Sequence, residues 1–240
     1  MMFKEYASLI QQLTYQHIGS DISDQQVTQL CNFGDLLLDW NQRLNLTRIT
    51  DPQEVILKHF IDSMVLAKFI SGVTFADLGT GAGFPGVPLK ILRPDLDIVL
   101  MDSLKKRLDF LEVVIKTLNL KGIRTVHARL EDFGRNMHYR GHFETVSSRA
   151  VARLPALLEY ALPVLKVNGL FLAPKGSQFE AELAESKKAL LLLGGTVEGI
   201  EHFSLGEGAE HRAVIRIRKI KETPSQYPRQ AGTPTKSPIG

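Results

Sequence analysis

The sequence predicts an α/β fold: a mostly parallel seven-stranded sheet covered by helices, closed by a terminal antiparallel hairpin and preceded by an N-terminal helical extension. Three observations predict it. From residue 73 onward, short apolar runs alternate with segments of helical period, as in a parallel sheet built from crossover units. The first of those runs ends in a glycine-rich turn, Gly79-Thr-Gly-Ala-Gly-Phe-Pro-Gly86. The last two runs follow one another with no helix between them. The chain therefore divides into a helical extension (1–72), a main sheet domain (73–220) and a basic tail containing Pro and Gly (221–240), the last expected to pack on or near the face that meets a polyanion.

In the extension, the segment 25–40 places Val27, Leu30, Cys31, Gly34, Leu37 and Leu38 on one helical face. Asp51-Pro-Gln-Glu54 then supplies an N-cap, a proline at the first helical position and a capping-box glutamate, which predicts a helix from Pro52 to about Phe69. Strands are expected near 73–78, 97–101, 123–128, 144–148 and 169–173, with helices near 87–93, 104–119, 154–166 and 178–193. Strands 196–203 and 211–220 make the hairpin, joined by the loop 204–210. In the second of them, Ile215 and Ile217 alternate with Arg216 and Arg218, the mark of a strand with one wet face.

Composition narrows the class. A chain of 240 residues with 44% hydrophobic content buries one large core. The single cysteine, Cys31, excludes an intrachain disulfide and a multi-thiolate zinc site, and fits a reducing cytoplasm. The start Met1-Met-Phe-Lys-Glu-Tyr lacks a signal-like apolar stretch and no apolar run reaches the roughly 18 residues that span a bilayer, so a soluble, cytoplasmic protein is expected. The net charge of +3 is uneven: residues 212–240 carry +6 and the remainder −3. That asymmetry points the carboxyl end toward a polyanion, with a solvated edge strand and loose tail as the plain alternative.

The glycine turn sits between a strand and a helix, where backbone N–H groups accept a close polar ligand. Gly81-x-Gly83-x-x-Gly86 matches the dinucleotide fingerprint, but its first glycine falls two residues after the one that ends the strand, and Pro85 lies inside it. Read from the strand end, Asp77-x-Gly79-x-Gly81-x-Gly83 resembles the nucleoside-binding loop of S-adenosylmethionine (SAM) methyltransferases. The next strand delivers Asp102, 23 residues after Gly79, where a carboxylate can accept hydrogen bonds from ribose hydroxyls or cap the helix that follows.

Elements along nearly the whole chain resemble one family, the ribosomal RNA small subunit methyltransferase G family. They are Asn45-Leu-Thr, His59-Phe-Ile-Asp-Ser63, Gly79-Thr-Gly-Ala-Gly-Phe-Pro-Gly-Val-Pro-Leu89, Asp102-Ser-Leu-Lys-Lys-Arg107, Ser148-Arg-Ala-Val151, Ala173-Pro-Lys-Gly176 and Tyr227-Pro-Arg-x-x-Gly-Thr-Pro-x-Lys-Ser-Pro238. The chain departs at Glu144, where the family commonly carries Asp. The resemblance implies a Rossmann-like class I SAM-dependent methyltransferase that modifies N7 of a guanine in 16S ribosomal RNA of the small ribosomal subunit, as a monomer without a metal. It also implies that Gly79 and Phe84 line the SAM site, beside the Gly81, Gly83 and ribose-directed Asp102 of the loop reading, with Leu130 and Glu131 at the adenine edge and Arg149 beside the methionine moiety or substrate.

Guanine N7 loses no proton on alkylation, so such an enzyme needs neither a general base nor a covalent nucleophile. The chain fits that expectation: Cys31 lies in an apolar stripe, and Ser147-Ser-Arg-Ala-Val replaces the Asn/Asp-Pro-Pro-aromatic element of exocyclic-amine enzymes. His59, Asp62 and Ser63, at i, i+3 and i+4, are positioning candidates alongside Arg149. RNA contact is expected from Arg216, Arg218, Arg229 and Lys236 at phosphates, with Tyr227 stacking on a splayed base. The rival readings are a nicotinamide oxidoreductase using Gly81–Gly86 and a non-catalytic RNA-binding or assembly factor.

Overall fold

The fold was analysed in a computed structural model that describes residues 2–176, 179–206 and 211–240. Seven strands, β1 (Thr74–Leu78), β2 (Asp97–Asp102), β3 (Ile123–His127), β4 (Phe143–Ser147), β5 (Leu165–Lys175), β6 (Gly195–Phe203) and β7 (Arg212–Lys219), form a sheet of order β3-β2-β1-β4-β5-β7-β6. The pairs β2/β3, β1/β4 and β4/β5 are parallel, and β5/β7 and β6/β7 antiparallel. This is the expected mostly parallel sheet with a terminal hairpin. Part of the expected hairpin loop, residues 207–210, lies outside the described residues. The chain forms two compact units, Met1–Phe69 with Thr80–His127, and Ile70–Gly79 with Ala128–Gly240.

In the first unit, α1 (Ala7–Ile18) is followed by α2 (Asp24–Leu44), which opens on a complete capping box between Ser23 and Gln26. Its predicted face is buried at Val27, Leu30, Cys31, Gly34 and Leu37. Gly34 is required there: a Cβ would stand 2.6 Å from the Phe3 ring. The Cys31 thiol donates to the Phe3 carbonyl at 3.3 Å, a core role. Phe33 centres an aromatic cluster with Phe60 at 5.6 Å, Phe84 at 5.3 Å and Phe110 at 6.5 Å. Each buried ring of this kind contributes roughly 1.5–3 kcal/mol through area removed from water.

The expected helix 52–69 is not one uniform helix. It runs as α3 (Pro52–Val55), a π-helical segment (Ile56–Ile61), α4 (Asp62–Met64) and a 3₁₀ turn (Val65–Phe69). Asp51 caps it by accepting from Glu54 N at 2.9 Å, with Pro52 in the first turn. The Glu54 carboxylate does not close a capping box; it accepts from Lys58 Nζ at 2.6 Å, the i, i+4 partner its position on the helix surface offers. Beyond β2 and β3, the unit contains α5 (Gly86–Leu92) and α6 (Lys105–Thr117).

In the second unit, α7 (Leu130–Arg135) precedes β4, and α8 (Leu154–Val164) is buried along its whole length. The chain leaves α8 straight into β5, which exceeds the expected 169–173 at both ends. Residue 178 of the expected helix 178–193 lies outside the described residues; the remainder splits at Ser186 into α9 (Glu180–Glu185) and α10 (Lys187–Leu193). The Ser186 hydroxyl bonds back to the Glu182 carbonyl at 2.7 Å, a bond that competes with helix continuity. Along β7 the apolar side chains are buried and Arg216 and Arg218 half-buried, as the alternation predicts. Lys219, on the dry face, is fully buried and donates to the Leu165 carbonyl at 2.7 Å. Burial pushes its pKa down.

The departure at Glu144 has a local explanation. Its carboxylate accepts from Val73 N at 2.7 Å, Thr74 N at 3.0 Å and Thr74 Oγ1 at 3.1 Å, tying the start of β4 to the start of β1. This is the amino end of both strands, remote along each strand from the carboxyl-terminal residues expected to bind ligand.

Candidate cofactor and RNA-binding residues

The turn after β1 holds itself together through backbone bonds. Thr80 N donates to Met101 O at 2.9 Å, and Gly83 N and Phe84 N both donate to Thr80 O, at 2.9 and 3.0 Å. Gly79, Gly81 and Gly83 have φ values of 71°, 59° and 95°, a region L side chains rarely adopt. A Cβ on Gly79 would meet Val151 Cγ2 at 2.5 Å, and one on Gly83 would meet Val87 Cγ2 at 2.7 Å. These glycines are therefore fixed by conformation and, at two positions, by packing.

Asp102 ends β2 with its carboxylate 3% exposed. Oδ2 accepts from Gly81 N at 2.9 Å, Oδ1 accepts from Leu104 N at 2.9 Å, and Arg107 Nη1 approaches Oδ2 at 3.4 Å. The side chain thus braces the glycine turn and orders the entry to α6 at once. A carboxylate has about four acceptor positions, so capacity remains on Oδ1 for a ligand hydroxyl.

Phe84 lies in the aromatic cluster, 5% exposed, with the His59 ring stacked on it at 4.5 Å. His59 Nε2 is 2.8 Å from Thr47 Oγ1, which also accepts from Ile49 N at 3.0 Å. The π-helical phase changes what the i, i+3, i+4 spacing implies. The Ser63 hydroxyl turns back to the His59 carbonyl at 2.5 Å, and Asp62 is buried. His59 is thereby coupled to the turn through Phe84, while Ser63 is satisfied by its own helix. Thr47 was not singled out by the sequence reading, although it belongs to the Asn45-Leu-Thr element; nothing in its local pattern points to a histidine twelve residues on.

In the second unit, Ser148 Oγ donates to Leu78 O at 2.8 Å and Arg149, half-buried, follows it. Ser147, in register with Asp77 on β1, is fully buried, and its Oγ has no hydrogen-bond partner among the described residues. Leu130 and Glu131 open α7. Glu131 is 7% exposed; its Oε1 accepts from Gly232 N at 2.8 Å and from Tyr160 OH at 3.4 Å. Burial pushes the Tyr160 phenol up, keeping it a donor.

The tail is built into the same unit. Arg140 donates to the carbonyls of Tyr227 at 2.7 Å, Thr223 at 2.7 Å and Pro224 at 3.1 Å, and Arg135 Nε donates to Pro228 O at 2.8 Å. Arg229 grips the fully buried Glu159 carboxylate, with Nε at 2.9 Å from Oε1 and Nη2 at 2.7 Å from Oε2, while its own backbone N donates to Oε1 at 2.7 Å. Arg216 and Arg218 face acids of β6: Arg216 Nη2 lies 3.1 Å from Glu201 and Arg218 Nε 2.5 Å from Glu198. Tyr227 is half-buried, and Lys236, in α11 (Thr233–Lys236), is exposed. Lys219, counted in the basic excess of this end, is buried and turned to protein acceptors. No helix among the described residues is long and apolar enough to cross a membrane.

Two features fit an adenosyl ligand: a turn whose positive-φ glycines exclude side chains, and a carboxylate with spare acceptor capacity at the end of β2. Together with the sheet order they define a class I SAM-dependent methyltransferase, and the fold matches a SAM-dependent methyltransferase from Aquifex aeolicus with a TM-score of 0.53 at 18% identity, over 73% of this chain and 97% of that one. Residues 26–220 match the family model for rRNA small subunit methyltransferase G, GidB. The chain is 54% identical to the ribosomal RNA small subunit methyltransferase G of Desulfitobacterium hafniense, over 99% of this chain and all of the relative. It is 48% identical to that of Acetivibrio thermocellus, over 92% of each.

The chain belongs to the rRNA small subunit methyltransferase G family, and its activity is SAM-dependent methylation of 16S ribosomal RNA. The nicotinamide and non-catalytic readings are set aside by that membership.

Proposed function

We propose that the methyl acceptor is N7 of one guanine in 16S ribosomal RNA, presented in the cytoplasm by the small ribosomal subunit to a monomeric enzyme that uses no metal. We assign SAM to the turn Gly79, Gly81, Gly83 and Phe84, with Asp102 at the ribose, Leu130 and Glu131 at the adenine edge and Arg149 at the methionine moiety or the incoming base.

When bound, SAM supplies an electrophilic methyl carbon. The chain's own work is placement. Gly81, held by Asp102, keeps the turn open, and His59 supports the turn through Phe84. Guanine N7 presents an in-plane lone pair and releases no proton, so alignment alone is asked of the protein and is worth on the order of 7–11 kcal/mol.

The observation that supports the cofactor assignment is the bond from Gly81 N–H to the Asp102 carboxylate, which joins the two elements assigned to the adenosyl group. Methylating small subunits with labelled SAM and mapping the label tests the acceptor. A single N7-methylguanine supports the reading; label on another atom or base refutes it.

A further inference from the structure

The geometry points to residues 227–235 as a positioning element of the cofactor site: the tail, through the Gly232 N–H and the Tyr160–Thr235 pair, sets the orientation of the Glu131 carboxylate. The inference rests on the assignment of Glu131 to the adenine edge. The sequence places the tail 101 residues beyond Glu131, with a basic character that suggests RNA; the hydrogen bonds give it a second task.

Gly232 N donates to Glu131 Oε1 at 2.8 Å, and an N–H bonded to a carboxylate is among the stronger hydrogen bonds a backbone makes. Tyr160 OH reaches the same oxygen at 3.4 Å and is itself 3.0 Å from Thr235 Oγ1, so tail and α8 act on one carboxylate oxygen. Both bonds fall on Oε1. Oε2 is left to accept from a ligand amine, in a direction the tail has selected.

The tail is stiff enough for this task. Gly232 adopts φ 81°, the Arg229–Glu159 fork anchors the chain three residues earlier, and Pro228 packs so closely on α7 that a Cβ at Gly134 would stand 2.8 Å from its Cγ. These contacts hold the segment against α7, the helix that carries Glu131, and against α8. Tyr160 and Gly232 are positioning residues, since each acts on the ligand through Glu131.

The test compares binding of S-adenosylhomocysteine with that of its analogue bearing oxygen in place of the adenine 6-amino group, by calorimetry on the full chain. Wild type prefers the amine by tenfold or more. Tyr160→Phe lowers the preference severalfold, and Gly232→Pro, which removes the N–H, lowers it further. Loss of packing alone weakens both ligands equally and leaves the ratio intact, so an unchanged ratio in a folded Tyr160→Phe overturns the inference even where Gly232→Pro fails to fold. Glu131→Gln separates the two layers of the argument. If it collapses the ratio while Tyr160→Phe does not, the tail's role fails and the Glu131 assignment stands. If Glu131→Gln leaves the ratio unchanged, the Glu131 assignment fails and the inference with it.

Discussion

Asp102 orders its surroundings and keeps acceptor capacity for the ligand proposed above. Two backbone N–H groups, of Gly81 and Leu104, point at its two oxygens. Asp102→Asn keeps the shape but retains only one oxygen, so one donor loses its acceptor, at a cost of about 1–3 kcal/mol. SAM affinity is expected to fall by about tenfold or more in calorimetry, with the circular dichroism spectrum unchanged. Gly81→Val is more severe, because φ is 59° there and a β-branched residue resists that region. It should abolish measurable SAM binding, and normal affinity in a folded variant would refute the placement. The helix-entry reading of Asp102 was legible in the sequence and is met by the Leu104 bond; the ribose reading is a proposal for which Oδ1 has room. The Ser147 hydroxyl was not legible, because its lack of a partner arises from burial across a strand pair.

Elements explain where sequence pattern succeeds and where it stops. The strands and the hairpin were legible because short apolar runs alternate with segments of helical period until the last two, which follow one another directly, and the face of α2 followed its period. The π-helical segment was not, since no local residue announces a wider turn; its phase is decided by packing of Phe60 against Phe3 and Phe33. The tail read as a basic segment packed on or near the RNA-binding face, with a loose tail as the alternative; neither reading named the partner of Arg229, which is Glu159, a residue lost in the apolar run of α8. Arg229→Ala strands that buried carboxylate and is expected to cost about 3–5 kcal/mol, on the order of 10 °C in Tm, measured by thermal unfolding. Glu144 gives a pH signature. Backbone bonds from Thr74 and Val73 depress its folded pKa, so its contribution is complete above about pH 4.3 and is lost as pH falls through the depressed value. Denaturant titrations of Glu144→Gln across that acid range should show a flatter pH dependence than wild type.

At the scale of the whole molecule, the +6 charge of the last 29 residues suggested a polyanion, but charge count and charge availability differ. Lys219 is buried, Arg229 is bound to Glu159, and Arg216 and Arg218 face glutamates, whereas Lys236 is exposed. Pairing of this kind depends on strand register and on a tail fold that composition does not encode. Lys236→Ala is therefore expected to weaken RNA binding and reduce the salt slope by about 0.7–0.9, with stability unchanged within about 0.5 kcal/mol. Binding measured across a salt series checks it; an unchanged slope removes Lys236 from the interface.

We expect this chain to position SAM against a guanine N7 in 16S ribosomal RNA without acid–base help. The most direct measurement is single-turnover methyl transfer from labelled SAM to small ribosomal subunits across pH, with the product mapped by reverse transcription after cleavage at N7-methylguanine. One modified guanine is expected, with a transfer rate that shows no titration of an essential base. Methylation at a site that must lose a proton, or a rate that falls with protonation of one enzyme group while SAM and RNA remain bound, would contradict it.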